Sequence, residues 1–122
     1  MKVFFHHIYE FRKGLRNLVL YTGPANERED VEQRLRRENI ACVIQAVGAS
    51  KINVFFGNPI CIEVVRRFAG KPLNELSPEE DFMLGIMLGY DRIQQCARFS
   101  SLASRRENPE SNNPRKLEEQ PA

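Results

Sequence analysis

Apolar and polar positions alternate along this chain with two different periods, and each change of period marks an element. Val3, Phe4, Ile8 and Phe11 recur at helical spacing, so residues 3–12 predict a helix with Gly14 as its stop. Val3 to Phe5 alone would equally open a strand. Residues 15–22 gather Leu18, Val19, Leu20 and Tyr21 ahead of Gly23-Pro24, which predicts a first strand. A charged helix follows, from a cap at Asn26 to about Glu38, with Val31 and Leu35 as its narrow apolar stripe. The apolar runs 40–47 and 52–56 flank Gly48-Ala49-Ser50-Lys51, a loop suited to an antiparallel hairpin. Gly57-Asn58-Pro59 then introduces a helix over residues 60–69. Its expected buried residues are Ile60, Val64, Val65 and Phe68, and Gly70 is its stop.

The most strongly specified start is Ser77-Pro78-Glu79-Glu80-Asp81: a capping serine, a proline at the first helical position, and three acids at the positive end of the helix dipole. Residues 77–99 read as one long central helix. Its first half, Phe82 to Leu88, is apolar at nearly every position and is expected to be wrapped by protein on most sides; its second half is amphipathic. Gly85 and Gly89 stand four apart inside it, at a propensity cost of up to ~1 kcal/mol each. Close packing of a strand, or of the same helix of a second copy, would account for them.

This order of elements predicts an α+β fold with an α/β-like start. It has a three-stranded mixed sheet, about five helices and a long central C-terminal helix. Strands one and two would run parallel through a right-handed crossover, with strand three antiparallel to two. Three strands leave unpaired edges, and a homodimer is the expected remedy. Residues 1–103 form the expected single domain. From Ser104 the composition turns to Arg, Glu, Asn, Pro, Ser and Gln, so 104–122 predict a disordered tail.

Composition narrows the function classes. The net charge of +2 over 122 residues gives no field for nucleic acid or an anionic membrane. The arginines Arg34, Arg36 and Arg37 are interleaved with acids and Arg66-Arg67 stand apart, which fits solvated faces. No apolar run approaches the ~18 residues of a membrane span, and the first residues lack a signal peptide's apolar region, so the cytoplasm is the expected place. Cys42, Cys61 and Cys96 have no paired spacing and are expected as reduced, buried thiols. The strand-to-helix turns at Gly23-Pro24 and Gly57-Asn58 match no phosphate fingerprint. No cofactor is expected.

Four groups of residues carry distinctive chemistry. His6 and His7 point about 100° apart on a helix and cannot share one metal unaided. His7 and Glu10 have the i, i+3 spacing of carboxylate-bridged metal sites, but those need further ligands on facing helices, so no metal is expected. Cys96 lies one helical turn after Arg92, which would activate a solvent-facing thiol, yet it shares the face of Phe99 and reads first as core filler. Asp91, Gln95 and Arg98 form a ridge at i, i+4, i+7 that suits intrahelical pairs. Together with Tyr90 and Arg92, the same residues leave the buried half of the helix as a dimer or partner surface, where tyrosine and arginine are favoured anchors.

The run Phe4-Phe5-His6-His7-Ile8-Tyr9-Glu10, then Arg16 to Thr22, Gly57-Asn58-Pro59, and the segment from Glu79-Glu80-Asp81-Phe82 through Gly89-Tyr90-Asp91 to Gln95-Cys96, resembles a small bacterial family catalogued as a domain of unknown function, number 2023. The resemblance covers about residues 1 to 100. It implies three strands with several helices, a homodimer and, in some genomes, a neighbouring flavodoxin; it brings no activity and no catalytic residue. The first expectation is therefore a non-enzymatic homodimeric interaction module. Its contact surface is Tyr90, Asp91, Arg92, Gln95 and Arg98, and its candidate partner is an acidic protein such as flavodoxin, met by Arg92, Arg98, Arg66 and Arg67. The alternative is a small-molecule or catalytic domain with a pocket near Cys96, Tyr90 and His6/His7.

Overall fold

The computed structural model describes residues 1–108, which form two compact units, Met1–Glu75 and Leu76 onward. The class is α+β with five helices and three strands.

The first unit begins with helix α1, Lys2–Arg12. Its apolar spacing turns Phe4 and Ile8 inward, and Gly14 and Leu15 donate back to the carbonyls of Phe11 and Glu10 to end it. Strand β1, Leu18–Pro24, leads through a tight 3-10 turn at Ala25–Glu27 into α2, Arg28–Arg37. Asn26 therefore lies within the turn and does not cap the helix. Strands β2, Ala41–Val47, and β3, Lys51–Gly57, form the expected hairpin, and α3, Pro59–Arg66, follows. Asn58 caps α3 by accepting from the Ile60 amide at 2.9 Å.

The sheet is not mixed. Its order is β1-β3-β2 and both ladders are antiparallel, pairing Leu20 with Phe55 and Val43 with Phe55. β1 and β2 do run the same way, but β3 stands between them, so no parallel ladder forms. The reason lies in β3 itself: Ile52, Val54, Phe55 and Phe56 are apolar on both faces, and only the central position buries both.

One sheet face presents Val19, Tyr21, Ile52, Val54 and Phe56 to Phe4 and Ile8 of α1 and to Val31 and Leu35 of α2. The Phe4 and Phe56 rings meet edge-on at 5.7 Å. The other face carries α3, which packs on β2 and β3 with Ile62 and Val65 buried. Ile60, expected inside, is exposed, since it lies in the first turn of α3 off the face on which Ile62, Val65 and Phe68 recur three apart and turn inward. A polar row crosses this face. Thr22 donates to Asn53 at 2.7 Å, Asn53 to Gln45 at 3.3 Å, and Gln45 to the Ala69 carbonyl at 2.7 Å and that of Lys71 at 3.2 Å. Buried Asn53 is thereby satisfied.

The second unit corrects the single long helix. α4 spans Pro78–Met87 and α5 spans Arg92–Glu107. The start of α4 is the full capping box: the Glu80 amide donates to Ser77 Oγ at 3.1 Å, and the Ser77 amide donates to Glu80 Oε1 at 2.9 Å. Its end is at Gly89, whose φ of 83° lies in the left-handed region that glycine adopts without strain. There the Gly89 amide donates to the Ile86 carbonyl and the Tyr90 amide to that of Gly85, closing a Schellman turn. α5 continues through Glu107, past the boundary expected at Ser104; the rest of the proposed tail, residues 109–122, lies outside the described residues. Among the described residues no helix is long and apolar enough to cross a membrane.

Candidate functional site

The residues singled out around Tyr90 lie on the α4–α5 hairpin, and most of them serve the hairpin itself. Asp91 caps α5, accepting from the Gln94 amide at 2.9 Å. Gln95 lays its side-chain amide over Gly85 of α4, where a Cβ would overlap it, so the close approach at Gly85 comes from within the chain. Arg98 donates twice to Asp81, from Nε at 2.7 Å and from Nη2 at 3.0 Å, and this fork holds its guanidinium even more firmly charged than usual. Arg106 donates to Glu79 at 2.8 Å, which draws that carboxyl below the ordinary range. The Phe82 and Phe99 rings close the seam at 5.7 Å.

Tyr90 and Arg92 remain exposed, and apolar neighbours that the sequence pattern had placed inside join them. Relative exposure is 45% for Met83, 38% for Ile86, 52% for Tyr90 and 79% for Ile93. Met83 and Ile86, three apart, share one face of α4, and Tyr90 follows just beyond the turn at Gly89. Only Leu84 and Gly85 of α4 are buried, and none of the sixteen residues of α5 is. An apolar run as dense as 82–88 reads as core from composition alone. The signal that this helix is a hairpin arm was the pair Gly89 and Asp91, a stop followed by a cap.

The histidines belong to the first unit and gather at Glu10. Its Oε1 lies 3.7 Å from His6 Nε2, 3.3 Å from His7 Nδ1 and 3.9 Å from Arg16 Nη1. Arg16 Nη1 also lies 3.3 Å from His7 Nδ1, so one ring nitrogen faces a donor and an acceptor and can serve only one of them at a time. His6 stacks on Tyr9 with centroids 6.3 Å apart. Among the described residues no group of three His, Cys, Asp or Glu side chains is placed to hold a metal.

The thiols differ from expectation too. Cys96 is exposed, and Cys42 and Cys61 are half-buried. Burial pushes the Cys42 thiol up, against the opposing pull of Arg66. Tyr90 and Cys96 lie in the second unit and His6 and His7 in the first.

Sequence reasoning also missed the edge of β2. An open groove of about 610 Å³ runs beside it, floored by Leu35, Ile40 and Ile44 and flanked by Arg36 and Arg66. Arg66 Nη2 donates to the Cys42 carbonyl at 3.3 Å. The adjacent arginines in the sequence were a signal, but only the fold brings one from each helix to the same strand.

A family model described as "Protein of unknown function (DUF2023)" matches residues 2–102. The comparison with curated proteins found no match.

Proposed function

We propose that this chain, which belongs to the DUF2023 family over residues 2–102, is a non-enzymatic homodimeric interaction module whose dimer contact is the α4–α5 hairpin. The observation that carries the reading is the sixteen-residue α5 with no buried residue, beside the exposed Met83, Ile86, Tyr90 and Ile93. Helices of this length are marginal in water without tertiary packing, and an exposed apolar stripe of this kind marks an association surface. Two such hairpins, related by a two-fold axis, would close a four-helix bundle.

A second copy fits this face better than a charged protein does. Two ion pairs tie the hairpin together within the chain, Arg98 to Asp81 and Arg106 to Glu79, and the exposed Met83, Ile86 and Ile93 are uncharged. A flavodoxin, the acidic partner suggested by the family resemblance, would find Arg92 as the available arginine of this surface, since Arg98 is committed to Asp81. Such docking is a second layer on the dimer and would weaken with salt.

Sedimentation equilibrium of the full chain tests the reading. The wild-type protein is expected as a dimer at micromolar concentration, and Ile86→Glu/Ile93→Glu as a folded monomer, because each glutamate would be desolvated without a partner. A wild-type monomer at ~100 μM, weaker than typical specific dimers, would remove the dimer reading.

A further inference from the structure

The first unit carries a separate surface that does not depend on the hairpin. β2 pairs only with β3 among the described residues, so its outer backbone edge lacks a strand. Edges of this kind accept an extended segment of another chain, with main-chain hydrogen bonds supplying affinity and flanking pockets supplying specificity. Cys42, Val43 and Ile44 are apolar here and only half-buried.

The flanks have a defined charge. Cys42 and Ile44 share the sheet face of α2, since both pack against the cluster that holds Val31 and Leu35. Gln45 points to the opposite face, where it binds the Ala69 carbonyl just beyond α3. Arg36 therefore approaches the edge from one face and Arg66 from the other, and both are exposed. The groove's acid, Glu32, is already paired with Arg28 at 2.9 Å. Neither Arg36 nor Arg66 meets a carboxylate among the described residues; Arg66 reaches only the Cys42 carbonyl.

We propose that the β2 edge binds an extended acidic peptide as an added strand, its backbone pairing with residues 41–47 and two adjacent carboxylates meeting Arg36 and Arg66, the latter turning from the Cys42 carbonyl to the carboxylate. Neighbouring side chains of a strand project to opposite faces, so consecutive Asp or Glu residues fit an arginine on each side where a single acid would reach one. Each guanidinium can hold its carboxylate with two hydrogen bonds. Apolar residues next to the acids would cover the half-buried Cys42 and Ile44 of the edge. The β1 edge offers no equal: it ends at Gly23-Pro24, where proline lacks a donor, and its nearby Arg16 already lies against Glu10 and His7.

The test uses the full chain and a fluorescein-labelled synthetic peptide, as long as β2, of β-branched residues with Glu-Glu at its centre. Fluorescence anisotropy is expected to give saturable binding that weakens as salt rises. Affinity should fall about tenfold for Arg36→Gln, for Arg66→Gln and for the Gln-Gln peptide, in line with the loss of a charge-assisted hydrogen-bond pair. Amide resonances of residues 41–47 should shift on titration, and a backbone N-methylated peptide should not bind. Equal affinity of the Glu-Glu and Gln-Gln peptides, wild-type binding by both arginine variants, or peptide-free pairing of β2 with β2 of a second copy would each overturn the proposal. Both arginines are exposed, so an unchanged circular dichroism spectrum and melting curve will separate lost binding from lost folding.

Discussion

β3 and α5 stand at opposite ends of burial in this chain, one a nearly continuous apolar strand and the other an amphipathic helix. Six of the seven residues of β3 are buried, whereas none of the sixteen residues of α5 is. β3 has a strand on each side and helices against its apolar faces, so even Asn53 is enclosed and hydrogen-bonded. α5 has Ile93, Phe99 and Leu102 along its length; Phe99 meets Phe82 in the seam with α4, and Ile93 is exposed. The first unit thus encloses its apolar strand with its own elements, whereas the second leaves Met83, Ile86 and Ile93 exposed. This exposed apolar surface on an otherwise well-capped hairpin is what the proposed dimer would cover.

The contrast can be broken most sharply at Phe56. Removing its ring from between Phe4 and Phe11 opens a cavity in the closed core, and Phe56→Ala is expected to cost about 3–5 kcal/mol in urea unfolding. A loss under about 1 kcal/mol would mean that the sheet unit is no better packed than the hairpin. In the second unit the sensitive position is the turn. Gly89→Ala forces a side chain to a φ of 83° and is expected to destabilise the hairpin by about 1–2 kcal/mol while leaving the sheet unit's amide protection unchanged. Equal loss of protection in both units would show that they unfold as one.

The smallest effect lies at Glu38, whose carboxylate accepts from Arg34 on α2 and from Arg12 on α1, the latter at 3.3 Å. The Arg34 contact, aided by Arg12, holds this carboxyl below its usual range against the opposing effect of burial. A depressed folded pKa stabilises above the unfolded pKa, and that gain fades as pH falls through the folded value. Wild type should therefore exceed Glu38→Gln by about 0.5–1 kcal/mol at neutral pH. The gap should vanish on acidification below the ordinary carboxylate range, as followed by thermal melts across pH. A gap independent of pH would assign the effect to packing.

Most elements of the first unit were legible because local chemistry and tertiary packing agree there. Phe4 and Ile8 at i, i+4, the short loop Gly48-Ala49-Ser50 before Lys51, and Asn58-Pro59 each act within a few residues. Strand order was not legible: a crossover followed by a hairpin is compatible with β3 beside β2 or between β2 and β1. The unbroken apolar run Val54-Phe55-Phe56 was the available pointer to the centre. Gly89 was read for its size when its backbone angle was what mattered, and that reading joined α4 to α5. Of the candidate surface, Tyr90 and Arg92 were legible as exposed residues. Met83, Ile86 and Ile93 were not, because apolar side chains signal burial without saying which molecule does the burying.

Hydrogen–deuterium exchange of the full chain, followed across a hundredfold dilution series through the expected dimer range, tests the central contrast most directly. The account predicts protection in β3 that is independent of concentration and protection in α5 that rises with it, as a helix completed by a second copy requires. Protection of α5 equal to that of β3 at the lowest concentration would contradict it.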